Sequence, residues 1–189
     1  MQVERLKIPD VRLIFPARHG DSRGFFSETY NKTSFAEHGI AVDFIQDNHA
    51  FSTDQWTVRG LHCQIPPFEQ DKLLRCTHGS IFDVAVDVRV GSPTYGQHVS
   101  AVISAESWNQ ILIPVGFAHG YCTLAPDTEV IYKVNKHYSP DHDMGLLWDD
   151  PDIGIDWPVN KGGVHLSGRD WAWPRLRDFV SPFTYSKTN

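Results

Sequence analysis

Ile81-Phe82-Asp83-Val84-Ala85-Val86-Asp87-Val88 alternates with period two, so Phe82, Val84, Val86 and Val88 share one face while Asp83 and Asp87 lie on the other. Such a stretch is a β-strand, and its carboxylate face is expected to meet water or a polar cavity. Thr128–Val134 repeats the alternation and puts Val130, Tyr132 and Val134 on one side, so Tyr132 points where those valines point. Residues 11–15, 25–30, 44–49, 57–64, 96–104 and 110–114 read as further short strands. They are separated by turn-forming runs such as His19-Gly20-Asp21-Ser22 and Gly91-Ser92-Pro93-Thr94 and by the polar loop 52–55. One short helix is expected over residues 32–38, capped by Asn31 and ended by Gly39. Many short strands with almost no helical period predict an all-β sandwich or jelly roll, not a parallel α/β sheet. At 189 residues the chain fits one domain, residues 1–189. After Asp149 it becomes rich in Trp, Pro and Asp, and this segment is expected to wrap the sandwich.

Composition removes several classes of function. A net charge of −6 without any Lys/Arg run offers no footprint for a nucleic acid polymer. No apolar run approaches membrane-spanning length and no basic, apolar leader is seen, so neither membrane insertion nor export is expected. Cys63, Cys76 and Cys122 are odd in number and contain no C-x-x-C, which suggests neither a disulfide framework nor a zinc knuckle; a cytoplasmic location is expected.

The stretch Arg59-Gly60-Leu61-His62-Cys63-Gln64 reads as a strand that delivers a histidine. After the Pro66-Pro67 turn, Gln70-Asp71-Lys72 begins a second strand that delivers a lysine. A base and a cation on neighbouring strands suit proton removal beside a carbonyl, because the cation holds the enolate oxygen. In Asp21-Ser22-Arg23-Gly24-Phe25-Phe26-Ser27-Glu28, Arg23, Phe26 and Glu28 offer a charge for phosphate, a stacking ring and an acceptor for a nucleobase N–H. Pro114-x-Gly116-x-x-His119 resembles the second signature of the cupin superfamily. The first signature is broken, because His62 is followed by Cys63-Gln64 and no second histidine, so no metal is expected. Ser167, three residues before Asp170, also reads as a helix cap with Asp170 in the first turn.

Taken in order, these elements together with Gln46-Asp47-Asn48, Asp83-x-x-x-Asp87-x-Arg89, Tyr132-Lys133, Tyr138-x-Pro140 and Trp148-x-Asp150-Pro151 resemble the dTDP-4-dehydrorhamnose 3,5-epimerase family. The resemblance implies a cupin-type, double-stranded jelly roll with short peripheral helices, acting as a cofactor-independent homodimer. It implies inversion of C3 and C5 of a dTDP-4-keto-6-deoxyhexose. His62 would be the base, Asp170 its dyad partner, Lys72 the enolate stabiliser and Tyr132 the acid on the opposite face. Arg23, Phe26, Glu28, Gln46, Asn48, Arg59, Lys72, His119, Tyr138, Asp143 and Arg169 would hold nucleotide and sugar. Strict alternation puts Arg59 and His62 on opposite faces, so a twist, a bulge or a partner subunit is required to bring them to one pocket. Ala50 and Cys63 depart from the family's usual serine and aromatic. Single-site epimerisation at C3 or C5, and a binding jelly roll without turnover, are the alternative readings.

Overall fold

The computed structural model describes residues 1–159 and 163–186. Its strands, in chain order, are β1 (Gln2–Arg5), β2 (Arg12–Phe15), β3 (His19–Asp21), β4 (Gly24–Phe26), β5 (Gln46–Ser52), β6 (Val58–Gln64), β7 (Lys72–His78), β8 (Ser80–Asp87), β9 (His98–Ser104), β10 (Gln110–Ile113), β11 (Phe117–Thr123), β12 (Thr128–Val134) and β13 (Asp143–Gly145). A six-stranded sheet, β1-β2-β10-β7-β12-β5, faces a five-stranded one, β13-β6-β11-β8-β9, and every pairing within them is antiparallel. This is the jelly roll expected from the strand pattern. The short hairpin β3-β4 stands apart from both sheets.

Alternation decides what each face buries. Between the sheets, Leu74, Ile111, Ile113 and Val130 from one side meet Ile81, Ala85, Val99, Ile103 and Phe117 from the other. Each of these side chains larger than alanine contributes about 1.5–3 kcal/mol by leaving water. The valine face of β8 turns the other way: Val84, Val86 and Val88 pack with Val58, Leu61, Cys63 and Ala118 beneath Trp148, Ile153, Trp157, Phe179 and Phe183 of the C-terminal segment. That segment therefore wraps the five-stranded sheet, and the Trp157 indole donates to Trp148 O at 2.7 Å. Both carboxylates of β8 are fully buried; Asp83 enters the space between the sheets, while Asp87 is held by Arg89, Ser92 and Thr94.

The helix α1 (Lys32–Glu37) starts where Asn31 Oδ1 accepts from the backbone of Thr33 and Ser34. It lays Phe35 against Ile14, Leu73 and Leu112 on the outside of the six-stranded sheet. Two expectations are corrected. Residues 25–30 do not form one strand, because β4 ends at Phe26. Beyond it, side chains replace the ladder: Ser27 Oγ donates to Ala17 O and accepts from the Trp108 indole, and the Gln110 amide donates to Thr29 O. Ser167 caps no helix; residues 168–171 form a turn in which the Asp170 N–H donates to Ser167 O at 3.1 Å. No helix among the described residues is long and apolar enough to cross a membrane.

Candidate active site

The conflict between Arg59 and His62 is resolved within one chain by a β-bulge. On β11, His119 pairs with His62 and Tyr121 with Arg59, so two steps on β11 match three on β6. The extra residue lies at Gly60-Leu61: Leu61 goes to the outer core, and Arg59 and His62 both face inward. Gly60 has φ of +112°, and a Cβ there would sit 2.5 Å from His119 O. Gly60→Ala is accordingly expected to lose about 2–4 kcal/mol of stability, together with the alignment of His62. Urea denaturation reads the first effect, and wild-type stability in this variant would contradict the requirement for glycine.

Arg59 and His62 line a cavity of about 240 Å³ between the sheets, together with Lys72, His119, Tyr132, Arg169 and Asp170. Seven of the residues expected from the sequence thus converge. His62 and His119 come from the five-stranded sheet, Lys72 and Tyr132 from the six-stranded one, and Arg169 and Asp170 from the C-terminal turn. Lys72 is buried with its ammonium 3.4 Å from His62 O. Burial lowers its pKa, and it also helps to hold the His62 pKa well below the ordinary 6.5. There burial acts first, followed by the positive charge of Lys72 and by His119 and Arg169. Burial raises the Tyr132 phenol, against the opposing influence of Arg59. A neutral imidazole thus faces a protonated phenol at neutral pH. His119 is clamped by the fully buried Asp83, with Nε2 and Oδ2 2.9 Å apart. The Asp170 carboxylate accepts from Ser167 Oγ at 2.8 Å. Among the described residues no hydrogen bond joins it to His62.

The depressed His62 pKa makes a directional prediction. Its protonation requires a pH below 6.5, so the acid limb of kcat/KM is expected below that value and should move upward in Lys72→Met, which removes a positive neighbour. The same shift favours the unfolded chain as the pH falls below 6.5, because that state binds the proton more readily. A pH profile with its acid limb above 6.5 would contradict this environment.

Other expected residues lie around the cavity. Gln46 and Asn48 share the face of β5 that carries the cavity residue Ala50, and the Gln46 amide donates to Asn48 Oδ1 at 2.9 Å. Arg169 is tied to Asp143 by an ion pair and donates to the Tyr138 hydroxyl at 3.3 Å, which places both beside the C-terminal turn. Arg23, Phe26 and Glu28 are not brought to His62 within this chain. Arg23 is exposed and paired with Asp21 at 2.6 Å, Phe26 is 71% exposed, and Glu28 borders a separate cavity with His19 and Asn31. Sequence reasoning missed Leu74, Tyr121 and Ser167 as cavity residues and Asp83 as the partner of His119. Only Asp83 left a signal, as the carboxylate that interrupts an apolar strand. Of the two family departures, Ala50 lines the cavity, whereas Cys63 lies in the outer core with its thiol pushed up to about 11 by burial. Among the described residues no three His, Cys, Asp or Glu side chains cluster as a metal site would require.

Comparison with known proteins identifies the family. The family model for dTDP-4-dehydrorhamnose 3,5-epimerase matches residues 5–178. A protein of that name from Sinorhizobium fredii is 50% identical over 187 residues, covering 99% of this chain and 95% of the relative. The crystal structure of the Bacillus anthracis enzyme of that name, with TDP and PPi bound, superposes with a TM-score of 0.89 at 44% identity, over 92% of this chain and 98% of the other. That of the dTDP-6-deoxy-D-glucose-3,5-epimerase from Legionella pneumophila, in complex with dTDP-4-keto-L-rhamnose, superposes with a TM-score of 0.93 at 37% identity, over 98% of both chains. With these similarities spanning nearly its whole length, the chain belongs to the dTDP-4-dehydrorhamnose 3,5-epimerase family.

Proposed function

We propose that the chain converts dTDP-4-dehydro-6-deoxy-D-glucose to dTDP-4-dehydro-L-rhamnose by deprotonation and reprotonation at C3 and C5. The observation that carries this reading is the placement of His62 and Tyr132 on facing sheets across one cavity, with Lys72 beside them. A sugar ring held between the sheets presents one face to the imidazole and the other to the phenol. His62 takes the proton on carbon, the electron pair moves to the C4 oxygen, and the Lys72 ammonium stabilises the enolate. Tyr132 then delivers a proton from the other side, which inverts the carbon. Asp170 offers a carboxylate to the imidazolium that forms, a contact that tightens once substrate is bound.

Arg59 sits where the cavity meets an adjoining groove of about 330 Å³ lined in part by Phe51, Thr53, Asp54 and His165. Among the described residues its guanidinium bonds only Phe51 O and Ser52 Oγ. We assign it to the diphosphate, which crosses from sugar cavity to nucleotide groove at that point. Gln46, Asn48, His119, Tyr138, Asp143 and Arg169 are assigned to sugar and phosphate around this crossing. We further propose a cytoplasmic homodimer in which the β3-β4 hairpin reaches the neighbouring subunit. The exposure of Arg23 and Phe26, neither of which lines its own chain's cavity, supports that placement. The three free, buried cysteines fit a reducing compartment.

The test is incubation with dTDP-4-keto-6-deoxyglucose in deuterated water. Deuterium at both C3 and C5, with dTDP-L-rhamnose formed by a downstream reductase, is the expected result. Label at one carbon only would make this a single-site epimerase and direct attention to Ala50, the departure that touches the cavity.

A further inference from the structure

Tyr121 is the one cavity phenol that the mechanism does not use. It stands on β11 as the register partner of Arg59, two residues beyond His119, which pairs with His62. The residue is only 5% exposed, and its ring lies 6.2 Å from that of His119. Among the described residues no group hydrogen-bonds its hydroxyl, yet that oxygen is not sealed in the protein interior and opens on the cavity. A nearly buried O–H without a partner is unfavourable unless the occupant of the cavity completes it. Burial raises the pKa of this phenol, so the partner it seeks is an acceptor.

Position identifies the acceptor. Along β11, His119 marks the end of the cavity where His62 works, and Tyr121 marks the end where Arg59 stands. With Arg59 on the diphosphate and His62 and Lys72 on the carbons and oxygen flanking and bearing the carbonyl, the part of the hexose beside Tyr121 is the edge from C1 to C2. The hydroxyl group on that edge is the one at C2. We propose that Tyr121 donates a hydrogen bond to the 2-hydroxyl of the bound hexose and so makes the enzyme selective for 2-hydroxy over 2-deoxy nucleoside-diphosphate 4-ketohexoses. This inference rests on the assignments of Arg59 and His62 made above. A site that buries a donor for a substrate hydroxyl discriminates against the analogue lacking it, because the donor is then left unpaired.

The experiment compares dTDP-4-keto-6-deoxyglucose with its 2-deoxy counterpart, reading kcat/KM for deuterium uptake by NMR in the wild type and in Tyr121→Phe. The wild type is expected to favour the 2-hydroxy substrate by roughly tenfold to a hundredfold. Tyr121→Phe should lose most of that factor on the 2-hydroxy substrate and little on the 2-deoxy one. Equal wild-type activity on both substrates would overturn the proposal without recourse to any variant, as would an equal loss on both in Tyr121→Phe. Wild-type protein that labels neither substrate would instead sink the epimerase reading, and this inference with it.

Discussion

His62→Ala is expected to abolish deuterium uptake at C3 and C5 together, lowering the exchange rate by about 10³–10⁴-fold while leaving both sheets intact. The reasoning begins with burial. His62 is held neutral by its surroundings and by the adjacent Lys72 charge, so the imidazole is available as a base without first losing a proton. Burial raises the phenols of Tyr121 and Tyr132, so neither offers a ready phenolate as an alternative base. Because the histidine contributes a half-buried neutral ring that is not part of either apolar core, its removal should cost little stability. Equal exchange in wild type and variant would remove His62 from the mechanism.

Tyr132→Phe separates two events that His62→Ala removes together. The base can still take a proton, trade it for deuterium and return it to the same face, so recovered substrate should carry label. Inversion needs a donor on the opposite sheet, and net product should fall by about 10²-fold or more while exchange falls far less. NMR of the recovered sugar nucleotide distinguishes labelled, uninverted substrate from product. Parallel loss of label and product would assign Tyr132 to binding and leave the opposite face without its donor.

The elements legible in the sequence are those whose information is local. The strand Thr128–Val134 agrees with the alternation that predicted it, and Asn31 caps α1 as its side-chain chemistry requires. His62 and Lys72 could be singled out as a base and a cation on adjoining strands, His119 through its Pro-x-Gly-x-x-His spacing, and Tyr132 through the family resemblance. What escaped depends on pairing between distant strands. That a bulge, rather than a twist or a partner subunit, brings Arg59 and His62 to one face is decided by the register with β11, a strand distant in sequence, and nothing in Arg59-Gly60-Leu61-His62 by itself chooses among the three. Tyr121 carries no local mark of a cavity residue, and its register with Arg59 is what turns it toward the cavity. The short strands β1, β3 and β13 have too few residues to show a period.

The C-terminal turn has a consequence for how the enzyme is made. Every strand of the two sheets lies at or before Gly145, whereas Ser167, Arg169 and Asp170 close the cavity from a later stretch. A chain emerging from the ribosome can therefore pair all its strands before it owns a complete pocket, and catalytic competence is acquired last. The same stretch of synthesis delivers Trp157, Phe179 and Phe183 to the outer face of β8 and β11, so the cover that protects the sheet and the wall that completes the pocket arrive together.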